Sequence, residues 1–163
     1  MTTLTADDLE RFLNEHQLAG QLVRLESKTP TVASAAEAVG ADERRIAKSL
    51  LFSHGAGYVL AIASGLDRIE PAALAAHLGL DTGQVRLASP AEVLEASGYP
   101  VGAMPPLGHR RPLRTLMDQA LLDLPEVYAG GGSDEVLLRI SPREIMKATG
   151  AEVLDMRRGP VSG

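Results

Sequence analysis

The chain has 163 residues, 45% apolar and 23% charged, which is enough to bury a core without staples and is a globular rather than a disordered composition. It has no cysteine, which excludes disulfides, thiolate catalysis and cysteine-based zinc sites, and aromatics at 3% argue against reading several bases with stacked rings. A net charge of −5 speaks against non-specific nucleic-acid binding over the whole surface, and no apolar run approaches the ~18 residues of a membrane span.

The start, Met1-Thr2-Thr3-Leu4, lacks the features of a signal peptide, so cytoplasmic residence is expected. Thr5 reads as the N-cap of a first helix, with Asp7 and Asp8 in its first turn and Leu9, Phe12 and Leu13 as its apolar stripe, running to about Leu18 before Gly20. Gln21–Glu26 alternates like a short strand. Thr31 caps a second helix, Val32–Val39, closed by Gly40.

Arg45–Ser53 and Tyr58–Ser64 read as strands joined through His54-Gly55-Ala56-Gly57, a hairpin with a glycine-containing loop. Alternation along the first places Ile46, Lys48, Leu50 and Phe52 on one face. An ammonium on an apolar face loses hydration unless something compensates it. The chain has thirteen arginines and three lysines, so a lysine here suggests a compact point charge aimed into a pocket. A strand-edge lysine reaching out to water is the alternative from this stretch alone.

Pro71 opens a third helix with Leu74, Ala75 and Leu78 as its buried stripe before Gly79. Val85–Ala88, Leu113–Met117, Val127–Ala129, Glu135–Ile140 and Val153–Met156 are further strand candidates, and Arg157–Gly163 is expected to fray. Ser89–Gly98 matches Ser141–Gly150. Each has Ser, then Pro, then Glu three positions after the Ser, and each ends in Gly, so both read as capped helices rather than as a repeat array. No stretch reads as an interdomain linker, so residues 1–163 form one domain in this reading.

Neither a phosphate-binding Gly-x-x-x-x-Gly-Lys motif nor a Gly-x-Ser-x-Gly elbow occurs. Of His16, His54, His77 and His109, none stands at i, i+4 to another, and only His109 adjoins a segment suited to a ligand. That segment is Tyr99–Pro112, with four prolines and two glycines. Within it Gly102-Ala103-Met104-Pro105-Pro106-Leu107-Gly108 can bring backbone N–H groups close to a ligand on a stiff frame, although the same residues also serve as plain turn punctuation. Gly130-Gly131-Gly132 reads either as an anion cradle or as a flexible turn between strands.

Taken together, Thr29, the Arg45-Ile46-Ala47-Lys48-Ser49-Leu50 strand and Gly98-Tyr99-x-x-Gly102-x-x-x-Pro106-x-Gly108 resemble the YbaK/prolyl-tRNA synthetase editing-domain family. Gly65-Leu66-Asp67, Asp118 and Val127-Tyr128-Ala129-Gly130-Gly131 extend the likeness, which runs from about Leu22 to about Ala148. The resemblance implies an α+β fold, a mixed open β-barrel of about six or seven strands with helices packed outside. It implies a deacylase that hydrolyses mischarged aminoacyl-tRNA, chiefly tRNA for proline carrying a small wrong amino acid. Water would attack the ester with help from the terminal ribose hydroxyl, and no metal or other cofactor is implied.

By position, Lys48, Gly102 and Pro106 match the family's catalytic elements. Thr29, Ile46, Leu50, Ala103, Met104, Gly108, His109, Gly130 and Gly131 are the expected substrate-binding residues, with amides near Gly102 and Ala103 holding the carbonyl or ribose. The implied partners are the acceptor end of aminoacyl-tRNA and prolyl-tRNA synthetase, not DNA or a membrane. His109-Arg110-Arg111-Pro112-Leu113-Arg114, with Lys28, Arg24 and Arg45, could contact acceptor-stem phosphates or could be an ordinary exposed strand entry. Two departures stand out. Ala103 replaces a second glycine of many relatives, and Tyr128 replaces a serine of the cysteine-clearing branch, leaving alanyl, seryl and threonyl esters open. A non-catalytic tRNA- or synthetase-binding module is the alternative function.

Overall fold

The computed structural model describes residues 2–157, so the expectation of a frayed tail falls, beyond Arg157, outside the described residues. Among the described residues there are five α-helices and eight strands, interspersed along the chain. α1 (Ala6–Glu15) precedes β1 (Gly20–Arg24), and α2 (Val32–Val39) precedes the hairpin of β2 (Ala47–Ser53) and β3 (Tyr58–Ser64). Then come α3 (Pro71–Leu78), β4 (Arg86–Leu87), α4 (Pro90–Ser97), β5 (Arg114–Asp118), β6 (Val127–Ser133), β7 (Val136–Ile140), α5 (Pro142–Thr149) and β8 (Glu152–Leu154). Among the described residues no helix is long and apolar enough to cross a membrane.

The strands form two sheets, ordered β1-β7-β6 and β4-β2-β3-β5-β8. The first is antiparallel. The second is mixed, because β3 pairs β5 in parallel and β5 pairs β8 in parallel. The mixed α+β class agrees with the sequence reading, whereas the strands number eight and the sheets are not hydrogen-bonded into a closed barrel. One parallel bridge, Ile46 to Tyr128, joins them.

β3 is buried on both faces, as a central strand must be when each face is covered. Leu60 and Ile62 face the main core with Leu9 and Leu13 of α1, Val93 of α4 and Ile145 of α5. Val59, Ala61 and Ala63 face a second core under α3, where Phe52 and Leu74 lie. Burying Leu9 and Leu13 contributes about 2 kcal/mol each. A third cluster packs Ala35 and Ala36 of α2 on Ile46, Tyr128 and Leu137, right over the bridge between the sheets.

The helix ends follow their signals. Ser89 Oγ accepts from Glu92 N–H, and Gly98 closes α4 in the left-handed region at φ +88°. Ser141 caps α5 likewise, but Glu144 does not complete a reciprocal cap; it accepts from Ala19 N–H at 2.8 Å and ties the start of β1 to α5. Glu92 also binds Arg86 at 2.8 Å, holding β4 against α4, and that pairing keeps its carboxyl down at about 2. Asp118 is buried and accepts from Met156 N–H at 2.9 Å and Ala120 N–H at 3.3 Å; burial raises its pKa above the usual carboxylate value.

Gly130, Gly131 and Gly132 depart from both sequence readings. They lie inside β6, which pairs with β7 and shifts register between Gly130 and Ser133.

Candidate active site

Between the two sheets β2 has an unpaired edge. β4 pairs with only Phe52 and Ser53, and β6 reaches only the Ile46 bridge, so Ala47–Leu50 has no strand neighbour on that side. A cavity of about 310 Å³ opens there. Its floor is β2 with Lys48, Ser49 and Leu50; its walls are Tyr128, Ala129 and Gly130 of β6, residues 29–32 before and within α2, Leu87, Ala88 and Val93, and Val101, Gly102 and Met104 of the long loop. Among the described residues Lys48 is the only charged side chain lining it. Ser49 Oγ is buried there without a hydrogen-bond partner among the described residues.

Lys48 is partly buried, and its Nζ donates to the backbone carbonyl of Asp67, in the turn that ends β3. Burial lowers the Lys48 pKa, and the Asp67 carboxylate acts against that shift. The side chain is therefore neither a free surface cation nor a closed ion pair. It is a tethered point charge on the wall of an apolar cleft.

The loop that faces it is anchored on every side. Ala103 N–H donates to Pro100 carbonyl at 3.1 Å, with Gly102 at φ +89°, which is a type II turn requiring a residue free to take positive φ at its third position. Gly132 N–H donates to Ala103 carbonyl at 2.8 Å. His109 Nε2–H donates to Pro105 carbonyl at 2.7 Å. Tyr99 is fully buried and its hydroxyl reaches Gly108 carbonyl at 3.4 Å; burial pushes that phenol up to about 12. Of the expected Gly102–Ala103 amide pair, Ala103 N–H is spent inside the turn. Gly102 and Met104 are among the loop residues whose N–H groups have no partner among the described residues, and both line the cavity.

Of the expected site residues, the cavity brings together Lys48, Thr29, Ile46, Leu50, Gly102, Met104 and Gly130. Pro106, Ala103 and Gly131 do not line it. Pro106 and Ala103 are buried behind the loop surface, and Gly131 packs against the Val136 carbonyl. Gly108 and His109 line a separate hollow on the other side of the loop, beside Phe12 and Arg111. Phe52, which shares Lys48's face, is buried under α3 instead. Sequence reasoning missed Ser49, Leu87, Val93 and Val101 as wall residues. Ser49 adjoins Lys48 and Val101 adjoins Gly102, so both could have been inferred; Leu87 and Val93 arrive through long-range closure.

His109 holds the loop from behind. Burial lowers its pKa, with the Pro105 bond acting against that shift, so the ring is neutral near pH 7 and still donates through Nε2–H. His109→Ala should lower kcat for the reaction proposed below by roughly tenfold with a smaller change in KM, and His109→Gln, whose amide can reach the same carbonyl, should recover part of it. Steady-state kinetics of the two variants check this; equal loss in both would remove the brace.

The basic run is mostly committed elsewhere. Arg114 forms a two-pronged pair with Glu152 at 2.8 and 2.9 Å, and Arg110 donates to the carbonyls of Thr2, Leu94 and Glu95. Lys28 pairs with Asp134, and Arg24 with Asp7 and Glu10. Among the described residues no group of three His, Asp or Glu side chains could hold a metal ion.

Two sheets with a lysine-bearing cleft between them, closed by a stiff glycine–proline loop, define an α+β domain of the editing class. The aminoacyl-tRNA editing domain family matches residues 26–148, and the chain belongs to that family. The resemblance drawn from Lys48 and the loop is borne out. A solved structure described as a candidate trans-editing enzyme for prolyl-tRNA synthetase superposes with a TM-score of 0.86 at 36% identity, covering 94% of this chain and 97% of that one. The uncharacterised protein YwhH of Bacillus subtilis strain 168 is 29% identical over 133 residues, 81% of this chain and 83% of its own length. The proline–tRNA ligase of Thermotoga maritima is 30% identical over 105 residues, which is 64% of this chain and 18% of the ligase. The chain thus spans between about a sixth and a quarter of the proline–tRNA ligases it matches.

Proposed function

We propose that this chain is a trans-acting hydrolase that removes a small non-cognate amino acid from mischarged tRNA, tRNA for proline above all. The observation that carries the reading is the single cavity shared by Lys48 and the Gly102–Met104 turn. An aminoacyl ester is already activated, so positioning and modest charge stabilisation suffice.

In this reading the carbonyl carbon sits between Lys48 and the loop. Water adds to it, and the negative charge developing on the carbonyl oxygen is met by the Lys48 ammonium and the Gly102 and Met104 N–H groups. The intermediate collapses by breaking the bond to the ribose oxygen, which takes the proton released by the attacking water. The neighbouring ribose hydroxyl can relay that proton, and no step requires a metal. Pro106 keeps the loop in shape from behind. Ile46, Leu50 and Met104 form the apolar seat for the amino-acid side chain, which excludes larger residues by size. Residues 1–163 act as one editing domain in the cytoplasm. The two sheets serve as halves of an open barrel whose mouth is the cavity, and prolyl-tRNA synthetase is the natural protein partner.

A binding module without catalysis is the competing reading, favoured by the net charge of −5. A panel of tRNAs charged with alanine, serine, threonine, cysteine and proline separates the two. Hydrolysis of at least one small aminoacyl ester faster than the prolyl ester is expected. Binding of charged tRNA with no hydrolysis of any member would overturn the deacylase.

A further inference from the structure

Large aliphatic side chains are exposed at only a few places among the described residues, and two of them belong to the cavity. Leu87 is 57% exposed and Val101 is 59% exposed, and both line it. A residue that lines a cleft while more than half of it stays in solvent sits at the mouth. Neither has a local reason to be apolar. Leu87 is on the two-residue edge strand β4, where its neighbour is the charged Arg86. Val101 is the second residue of the tight turn, a position that takes proline or polar residues as readily. No charged side chain other than Lys48 lines the cavity among the described residues, so the mouth offers no ionic partner.

We propose that Leu87 and Val101 form the seat for the terminal nucleobase of the substrate. This rests on the deacylase reading. With the ester carbonyl between Lys48 and the turn, the ribose lies at the cavity's exit, and the base, one bond from that ribose, must cross the rim. Aliphatic side chains can cover a base face without reading its hydrogen-bonding edge. That suffices for a substrate class whose last nucleotide is always adenosine. The contact is remote from the reacting carbon, so its binding energy serves to hold the ester in place.

Two measurements test the seat. The first compares kcat/KM for an alanyl ester of adenosine with that for the same ester of a ribose lacking the base. Wild-type protein is expected to prefer the adenosine ester, and the Leu87→Ser, Val101→Ser double variant should lose that preference by roughly tenfold, the scale of apolar area that two aliphatic side chains bury against one ring face. An unchanged preference would overturn the seat. The second needs no turnover: adenosine bearing a 3′-amide-linked alanine is titrated into methyl-labelled protein. Ring-current shifts at the Leu87 and Val101 methyls are expected, and shifts confined to other methyls, or none, would overturn the proposal. Failure to hydrolyse any aminoacyl ester with these shifts present would sink the deacylase reading and leave the seat standing.

Discussion

Lys48→Ala should lower kcat/KM for deacylation by at least 10²-fold while leaving the thermal midpoint unchanged or slightly raised. Both halves follow from its surroundings. The ammonium is the only charge lining the cavity among the described residues, so no neighbour can take over its role toward the developing oxyanion. Its burial is unfavourable in the free protein, as the lowered pKa records, so removing it relieves a desolvation cost. The Asp67 carbonyl that it leaves behind lies in a partly exposed turn and can turn to water. Lys48→Arg should not restore activity, because the planar guanidinium is bulkier and cannot reproduce a point charge tethered to one carbonyl. Single-turnover hydrolysis together with a thermal melt checks the pair of outcomes. Activity retained in Lys48→Ala with the fold intact would take the lysine out of the mechanism.

The helices were legible because their ends are chemical. Thr31 to Gly40 and Ser89 to Gly98 carry a side-chain cap at one end and a left-handed glycine at the other, and both helices form as read. The β2–β3 hairpin was legible because both strands are short apolar runs around glycines. Lys48 was legible because it interrupts such a run. What escaped depended on partners far away in the chain. The separation into two sheets is decided by β1 meeting β7 and by β3 meeting β5, and neither pairing leaves a local trace. Three successive glycines have no side chains to show a period of two, so β6 read as strand only over Val127–Ala129 and its glycines read as an anion cradle or a turn. That Ala103 N–H closes the turn was not legible either, since a motif names residues but not which N–H the turn consumes. Arginines in a run looked like a phosphate patch, yet Arg110 and Arg114 hold the chain to itself.

Gly130→Ala should cost roughly 10²-fold in deacylation and about 1–3 kcal/mol of stability, because it strikes the loop from beneath. A Cβ at this position would lie 2.3 Å from the Met104 carbonyl oxygen, 2.8 Å from its carbon and 3.2 Å from the Ala103 oxygen. All three are backbone atoms and none can swing aside, so either β6 or the loop must shift by the order of an ångström. β6 is held by its ladder to β7, and the loop carries the unpartnered Gly102 and Met104 N–H groups, so the shift falls on the groups proposed to meet the ester carbonyl. Gly131→Ala is the matched control. Its Cβ would lie 2.5 Å from the Val136 carbonyl oxygen, inside the sheet and away from the loop. The control should therefore lose comparable stability with a smaller loss of kcat/KM. Urea unfolding and deacylation kinetics on both variants decide the matter. Equal activity losses at equal stability would mean that β6 supports only the fold, whereas a selective loss in Gly130→Ala would locate the reaction at the loop that β6 supports.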